Sequence, residues 1–486
     1  MTRTATIVGS GPNGLAAAVT LARAGLHVRV LEAQDGIGGG ARTVESTLPG
    51  FRHDLGSTVH PAAIASPFFR AFGLDRHVDW IVPDISYAHP LDGGRAAIAW
   101  HDLERTADAL GHDGHHWRAL VRPLVRRIEG VVDFTDDQLL RIPRDPVAAA
   151  RFGIRVLEQA TPLAATSLRT PEGRALFAGV LAHANTRMPS LAAAGAGVLL
   201  AAYGHAGGWG LPRGGARAIT DALAQDLRRH RGTIETHRRI DSLDDLDWGD
   251  PAAGDLLLLD TSPRLLLTAA GLPDRYAESV RRYRYGPGIA KVDVALDGPV
   301  PWANPDVAAA ATVHLGGTRA EILAAEEQVA RGRVPDRPYV LAVQPSVVDP
   351  TRAPAGKGVF WAYTHVPSGS GFDATETIIR QVERFAPGFR DRILAIHSVP
   401  AESRSAINPA EIGGDILGGA FTLRQSVRRP VVSRHPWRTP LPGVYLASAA
   451  TPPGPSVHGM AGWHAARTAL HDMTGLELSL ADLFGV

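Results

Sequence analysis

Hydrophobic and polar positions along the chain fall into blocks of two distinct periods. Residues 4–8 (TATIV) are a β-branched, apolar run suited to a buried parallel strand. Leu15, Val19 and Leu21 then recur among alanines at helical spacing over 13–24, and Gly25 reads as the stop. Residues 27–31 predict a second strand. From about 102 to 202 the pattern is mostly helical, with arginines on one side and Leu, Val and Ala on the other. Pro212-Arg213-Gly214-Gly215 starts an amphipathic helix through Leu227, and 233–236 and 255–260 (DLLLLD) read as strands. Residues 291–296 (KVDVAL) and 339–343 (YVLAV) predict a second sheet, set between proline-rich connections. A strand at 444–447 and a helix over about 459–470 close the chain.

The first strand, helix and second strand frame Gly9-Ser10-Gly11-Pro12-Asn13-Gly14. Gly9 permits the tight turn, Gly11 lets the backbone approach a pyrophosphate, and Gly14 lets the helix pack closely on the sheet. The helix N-terminus directs its N–H groups and dipole at the phosphates, with Pro12 and Asn13 in the same cradle. Glu32, followed by Ala33, arrives at the carboxyl end of the second strand, where it accepts hydrogen bonds from ribose hydroxyls and repels a 2′-phosphate. These features together predict a dinucleotide site. Further on, Gly56-Ser57-Thr58 offers a backbone able to approach a ring closely.

At 486 residues the chain exceeds one ordinary core, which predicts two domains. Segments 1–75, 210–275 and 415–486 are expected to form the dinucleotide domain, and 76–209 and 276–414 a discontinuous substrate-binding and cap domain. Lys+Arg 50 against Asp+Glu 49 leaves a net charge of +1, so no global field recommends nucleic acid as a partner. The cysteine count of 0 excludes a redox dithiol, thiolate zinc and a thioether-linked flavin. Met1-Thr2-Arg3 leads straight into a strand, and no apolar run approaches the roughly 20 residues of a membrane span. A cytoplasmic protein is expected, with peripheral membrane contact and homo-oligomerisation left open.

Gly38-Gly39-Gly40-Ala41-Arg42 resembles the glycine-pair and arginine extension of the glutathione-reductase-like flavoproteins, which implies FAD, with Arg42 as a phosphate or flavin contact. Three further segments carry a more specific resemblance. Gly208-Trp209-Gly210-Leu211-Pro212-Arg213-Gly214-Gly215, Tyr285-Gly286-Pro287-Gly288 with the strand from Lys291, and Thr451-Pro452-Pro453-Gly454-Pro455-Ser456-Val457-His458-Gly459-Met460 resemble the phytoene-dehydrogenase-like FAD-dependent oxidoreductases. That group sits within the superfamily of carotenoid desaturases, protoporphyrinogen oxidases and amine oxidases. The resemblance implies an α/β fold: a glutathione-reductase-like Rossmann FAD-binding domain, a discontinuous α+β substrate domain and a helical cap. It also implies that Ser448, Gly454, Val457, His458, Gly459 and Met460 line the isoalloxazine edge. A helix beginning near Gly459 would stabilise negative charge on a reduced flavin. Where the family often has a run of glycines this chain has Gly454-Pro455-Ser456, so a stiffer backbone is expected there.

His60 and His458 are the proton-handling candidates, because imidazole titrates near working pH. Tyr203, His205 and Trp209 are candidates for a substrate wall, with Trp463 or Tyr203 walling an aromatic cage if the substrate is an amine. His112, His115 and His116 lie on a polar turn without a remote ligand, and no metal is expected. The expected activity is dehydrogenation or desaturation of a small hydrophobic substrate by hydride transfer to flavin N5. The alternatives are amine oxidation and a non-catalytic flavin-binding scaffold. No second strand–glycine-loop–helix unit is evident for a nicotinamide cofactor, so oxygen or a quinone is the expected electron acceptor.

Overall fold

The strand Thr4–Val8 pairs in parallel with His27–Leu31 on one side and Leu256–Leu259 on the other. Thr233–Glu235 and Val444–Leu446 complete a five-stranded parallel sheet. The computed structural model describes residues 3–161 and 167–485, so 162–166 of the expected helical region lie outside the described residues. Parallel strands are covered on both faces, and here Ile7, Val28, Val30, Leu257 and Leu258 are fully buried. The helix Pro12–Arg23 packs against Met460–Thr474 and Arg217–Arg229. Its contact with Met460–Thr474 is backbone to backbone: a Cβ on Gly462 would stand 1.8 Å from the carbonyl oxygen of Asn13. The expected helix after Pro212 starts later, at Arg217. Gly214 and Gly215 (φ +80° and +122°) are spent on the turn before it.

The second sheet has seven strands, in the order Ile393–Val399, Gly288–Leu296, Gly358–Val366, Val340–Val343, Thr312–Leu315, Ile85–Pro90 and Ala96–Trp100. All its pairings are antiparallel except that of Thr312–Leu315 with Ile85–Pro90, made through Val313 and Ala88. Two of the seven were expected from the sequence. One face carries a helical cap that includes Gly114–Val125, Pro146–Ala160, Pro171–Leu181 and Leu191–Ala206, with Trp117, Leu176 and Phe177 in its core. The other face packs on Thr375–Glu383 through Ile378, Ile379 and Val382.

A buried ion pair fastens the small hairpin Thr43–Val44/His53–Asp54 to the turn between Val340–Val343 and Gly358–Val366 of the second sheet. Asp54 Oδ2 meets Arg352 Nη2 at 2.6 Å, with both side chains wholly buried. Asp54 also accepts from Thr43 Oγ1, Thr58 Oγ1 and the Ala216 N–H. Burial works against its charge, but Arg352 and these donors outweigh that and hold the carboxyl below its ordinary range. Thr58 in turn accepts from Trp361 Nε1 at 2.8 Å, tying the Gly56-Ser57-Thr58 segment to the second sheet. Among the described residues no helix is long and apolar enough to cross a membrane, and no group of His, Asp and Glu side chains could hold a metal ion.

Candidate functional site

A cavity of about 1020 Å³ opens between the two sheets, and its wall begins at the glycine turn. Gly9, Gly11, Pro12, Asn13, Glu32, Ala33, Gly39, Gly40, Ala41, Gly56, Ser57, Thr58, Ser448, Val457 and His458 all line it. Crowding explains the glycines. A Cβ on Gly14 would lie 2.2 Å from the Gly9 carbonyl oxygen, and one on Gly56 2.3 Å from that of Gly40. A Cβ on Gly39 would lie 3.1 Å from Gly11 Cα, so the two glycine clusters touch. Gly40 instead faces open space.

Glu32 is buried and held in place: Oε2 accepts from the Ser10 N–H at 3.0 Å and from its hydroxyl, and Oε1 from the Gln34 N–H at 2.9 Å. Sequence reading missed Asp260, the residue after Leu256–Leu259. Its Oδ2 accepts the Gly14 N–H at 2.9 Å, so that donor, expected to face phosphate, is already engaged. Burial raises the Asp260 carboxyl to about 7. The only signal was its place at the carboxyl end of a central parallel strand, where ligands of such sheets bind.

Arg42 does not line the cavity. Its guanidinium donates to the Ile407 carbonyl at 2.7 Å and to the Gly39 carbonyl, so it fastens the 407–411 part of the wall. Gly14, Gly454, Gly459 and Met460 are also set back from the surface of the cavity. Gly459 (φ +69°) caps the helix Met460–Thr474, and Met460 N–H donates to His458 Nδ1 at 3.0 Å. His458 Nε2 faces the Gly454 carbonyl at 3.2 Å. Both ring nitrogens are therefore spent inside the loop, and burial lowers the imidazole to about 4. His458 clamps the 448–459 loop, and this geometry leaves it no site for proton handling. His60 lines the cavity with Nε2 buried and unpartnered, and burial lowers it also to about 4, so it is neutral at working pH.

Of the expected substrate wall, Tyr203 and Trp209 line the cavity and His205 and Trp463 do not. His205 is consumed by Trp117 Nε1, which donates to it at 3.0 Å, and by the His101 carbonyl. Trp463 packs on Phe68 in the core of the dinucleotide sheet. An apolar part of the wall is formed by Phe152, Val156 and Leu199 from the cap, and by Leu341 and Val343 from the second sheet. Trp361 and Tyr363 lie nearly parallel, 6.0 Å apart. Asp136, at the end of Ile128–Thr135, lines the cavity with Oδ2 buried and unpartnered, and burial raises it to about 7. Behind the wall, Lys291 forms a buried ion pair with Asp293 and stands over the Trp361 ring. Neither role could be read from single residues inside apolar or polar runs.

The chain matches the family described as flavin containing amine oxidoreductase over residues 13–470. It belongs to that family. A full-length relative, pyridine nucleotide-disulfide oxidoreductase domain-containing protein 2 of Rattus norvegicus, is 24% identical over 97% of this chain and 94% of its own. A 4,4'-diapolycopen-4-al dehydrogenase of Metabacillus indicus is 37% identical across 25% of either chain. Among solved structures, a triple mutant of putrescine oxidase aligns over 98% of this chain and 99% of its own, with a TM-score of 0.61 at 17% identity. That last likeness concerns the fold, which is the α/β flavoprotein fold expected from the sequence. This member of the flavin amine oxidoreductase family is an FAD-dependent oxidoreductase, which leaves the scaffold reading without support. The residues present suit FAD: a fixed carboxylate at Glu32, open space over Gly40, and an unpartnered, buried Asn13 Oδ1 in the same wall.

Proposed function

We propose that this enzyme dehydrogenates a small hydrophobic substrate, which loses a hydride and a proton and gains a C=C bond. The observation that carries the reading is the apolar wall of Phe152, Val156, Leu199, Leu341 and Val343, continuous with the dinucleotide cradle. FAD, when bound, supplies the two-electron oxidant. The cradle of Gly9, Gly11, Glu32 and Gly40 would hold it, and the Asp54–Arg352 pair with the Thr58–Trp361 bond sets that cradle against the substrate wall. Asp136, with a free oxygen and a carboxyl that titrates near neutrality, is the proton acceptor we assign. His60, neutral and with a free Nε2, is a further hydrogen-bonding group in the wall. Electrons would leave to oxygen or a quinone.

Amine oxidation is the second reading, favoured by the parallel Trp361–Tyr363 pair, which could accept a cation on its faces. Peripheral membrane contact is supported by exposed apolar residues, one of them at the cavity. Ile142 is 90% and Leu157 56% exposed, and Leu157 also lines the cavity. Anaerobic rapid mixing with acyclic isoprenoids and with primary amines tests the main reading. Bleaching of the flavin by isoprenoids is expected, and bleaching by amines alone would replace it with the second.

A further inference from the structure

The amino end of the helix Pro12–Arg23 is an anion site that this chain already fills with its own carboxyl group. Pro12, the first helical residue, has no N–H, and the Leu15 N–H returns to the Gly11 carbonyl at 2.9 Å. The Gly14 N–H donates to Asp260 Oδ2 at 2.9 Å, which leaves the Asn13 N–H for a ligand. The position of Asp260 is imposed by the sheet. Val8 is in register with Leu259, so Asp260 leaves its strand level with the glycine turn. Its Oδ2 lies 2.5 Å from the point a Cβ on Gly11 would occupy and 2.9 Å from that of Gly14. The bare Cα atoms of both glycines make room for this carboxyl, and Asp260 lines the cavity beside Gly9 and Gly11.

The charges around Asp260 are one-sided. Burial disfavours its ionised form most, the N–H groups of Gly14 and Gly11 favour it from the helix, and the Glu32 carboxylate at the end of His27–Leu31 disfavours it again. Among the described residues no cation forms an ion pair with it. Arg264, further along the same segment, lies over the Tyr285 ring, and Arg42 is spent on the Gly39 and Ile407 carbonyls. Arg238 and Arg239, also in the wall, stand by Glu235 and Asp241. The carboxyl therefore gains or loses its proton near neutrality, at about 7. A diphosphate seated at the same helix terminus would bring two further negative charges to this place. Crowded anions without a cation to pair with do not all stay ionised, and the carboxyl is the group that can be protonated.

We propose that Asp260 binds FAD as a neutral acid, taking up one proton from solvent as the diphosphate enters. Oδ2 keeps the Gly14 N–H, and the proton on Oδ1 is a hydrogen-bond donor toward a phosphate oxygen. Left ionised, the same carboxylate competes with the diphosphate for the helix terminus and repels it. This rests on the FAD reading of the cradle and adds how its charge is balanced. The cradle holds FAD most tightly below neutral pH and loosens it above.

The test is titration of the full-length, FAD-stripped protein with FAD, followed by flavin fluorescence, between about pH 6 and about pH 9. A bound form that keeps the proton which the free form loses at about 7 gives a Kd that is flat below neutrality and rises by up to about tenfold per pH unit above it. Asp260→Asn retains an acceptor for the Gly14 N–H and offers a permanent donor. Its Kd should stay flat, and at about pH 8.5 lie about tenfold below that of the unmodified protein. Asp136→Asn, which removes the other carboxyl raised to about 7, should leave the rise in place. Calorimetry in two buffers of different ionisation enthalpy needs no variant: close to one proton is taken up per FAD at about pH 8.5 and almost none at about pH 6. Release of protons on binding overturns the proposal, as does a rise that survives Asp260→Asn or is lost in Asp136→Asn. Tight binding that does not change with pH overturns it and leaves the FAD reading standing, whereas protein that binds no FAD at any pH overturns both.

Discussion

The two ends of the cavity are built from different materials. At the cofactor end much of the wall is backbone, crowded so tightly that Gly9, Gly11 and Gly56 admit no side chain, nor does Gly14 just behind them. At the substrate end the wall is side chains from cap helices and a second sheet, and Gly195 in that wall faces open space. A backbone wall cannot be reshaped by substitution without moving the chain, whereas a side-chain wall can. The difference places the constant part of the chemistry at one end and the variable part at the other.

Each end also holds one buried carboxyl raised to about 7, Asp260 among the glycines and Asp136 in the cap. The comparison is sharpest in their pH dependence. A folded-state pKa above the unfolded value means that the folded chain binds the extra proton. Stability is full below about 4 and falls by up to about 1.4 kcal/mol per pH unit, per carboxyl, until about 7. Urea unfolding of the FAD-free protein should show that decline, and Asp260→Asn should roughly halve it. An unchanged slope would mean that Asp260 is ionised throughout. Next in size is Gly14→Ala, which drives a methyl group into the Gly9 carbonyl and should cost about 3 kcal/mol together with the yellow colour of the purified protein. At the other end, Val156→Trp should leave flavin content intact while weakening the binding of decan-1-ol about tenfold, as a filled cavity would. If it removed the flavin instead, the two ends would not be separable. The smallest effect is expected at Ser456, whose φ of +128° suits glycine: Ser456→Gly should raise stability by about 1 kcal/mol, seen as a higher urea midpoint.

That same contrast decides what could be read from the chain alone. The glycine turn, Glu32 and the strands 4–8 and 27–31 are legible because each requirement there is local. A turn needs a positive φ, a close approach needs no Cβ, and a parallel strand needs an unbroken apolar run. Asp260 escaped because its partner, the Gly14 N–H, is 246 positions away. Ile85–Pro90, Ala96–Trp100 and Gly358–Val366 were not singled out as strands, since ISYAHP and AAIAW carry neither clean alternation nor strong β-branching. His458 drew attention as imidazole, yet its use was settled by two backbone groups in its own loop. Trp361 and Tyr363 gained meaning only when the sheet and the cap closed over one space.

The parallel sheet takes its edge strand from Val444–Leu446, and its first helix is seated on Gly462. The cradle therefore remains unfinished until the chain through Gly462 has left the ribosome, about 450 residues after the glycine turn that begins it. Cofactor capture must wait for that stretch, and truncation anywhere before Met460–Thr474 should yield a chain that never colours.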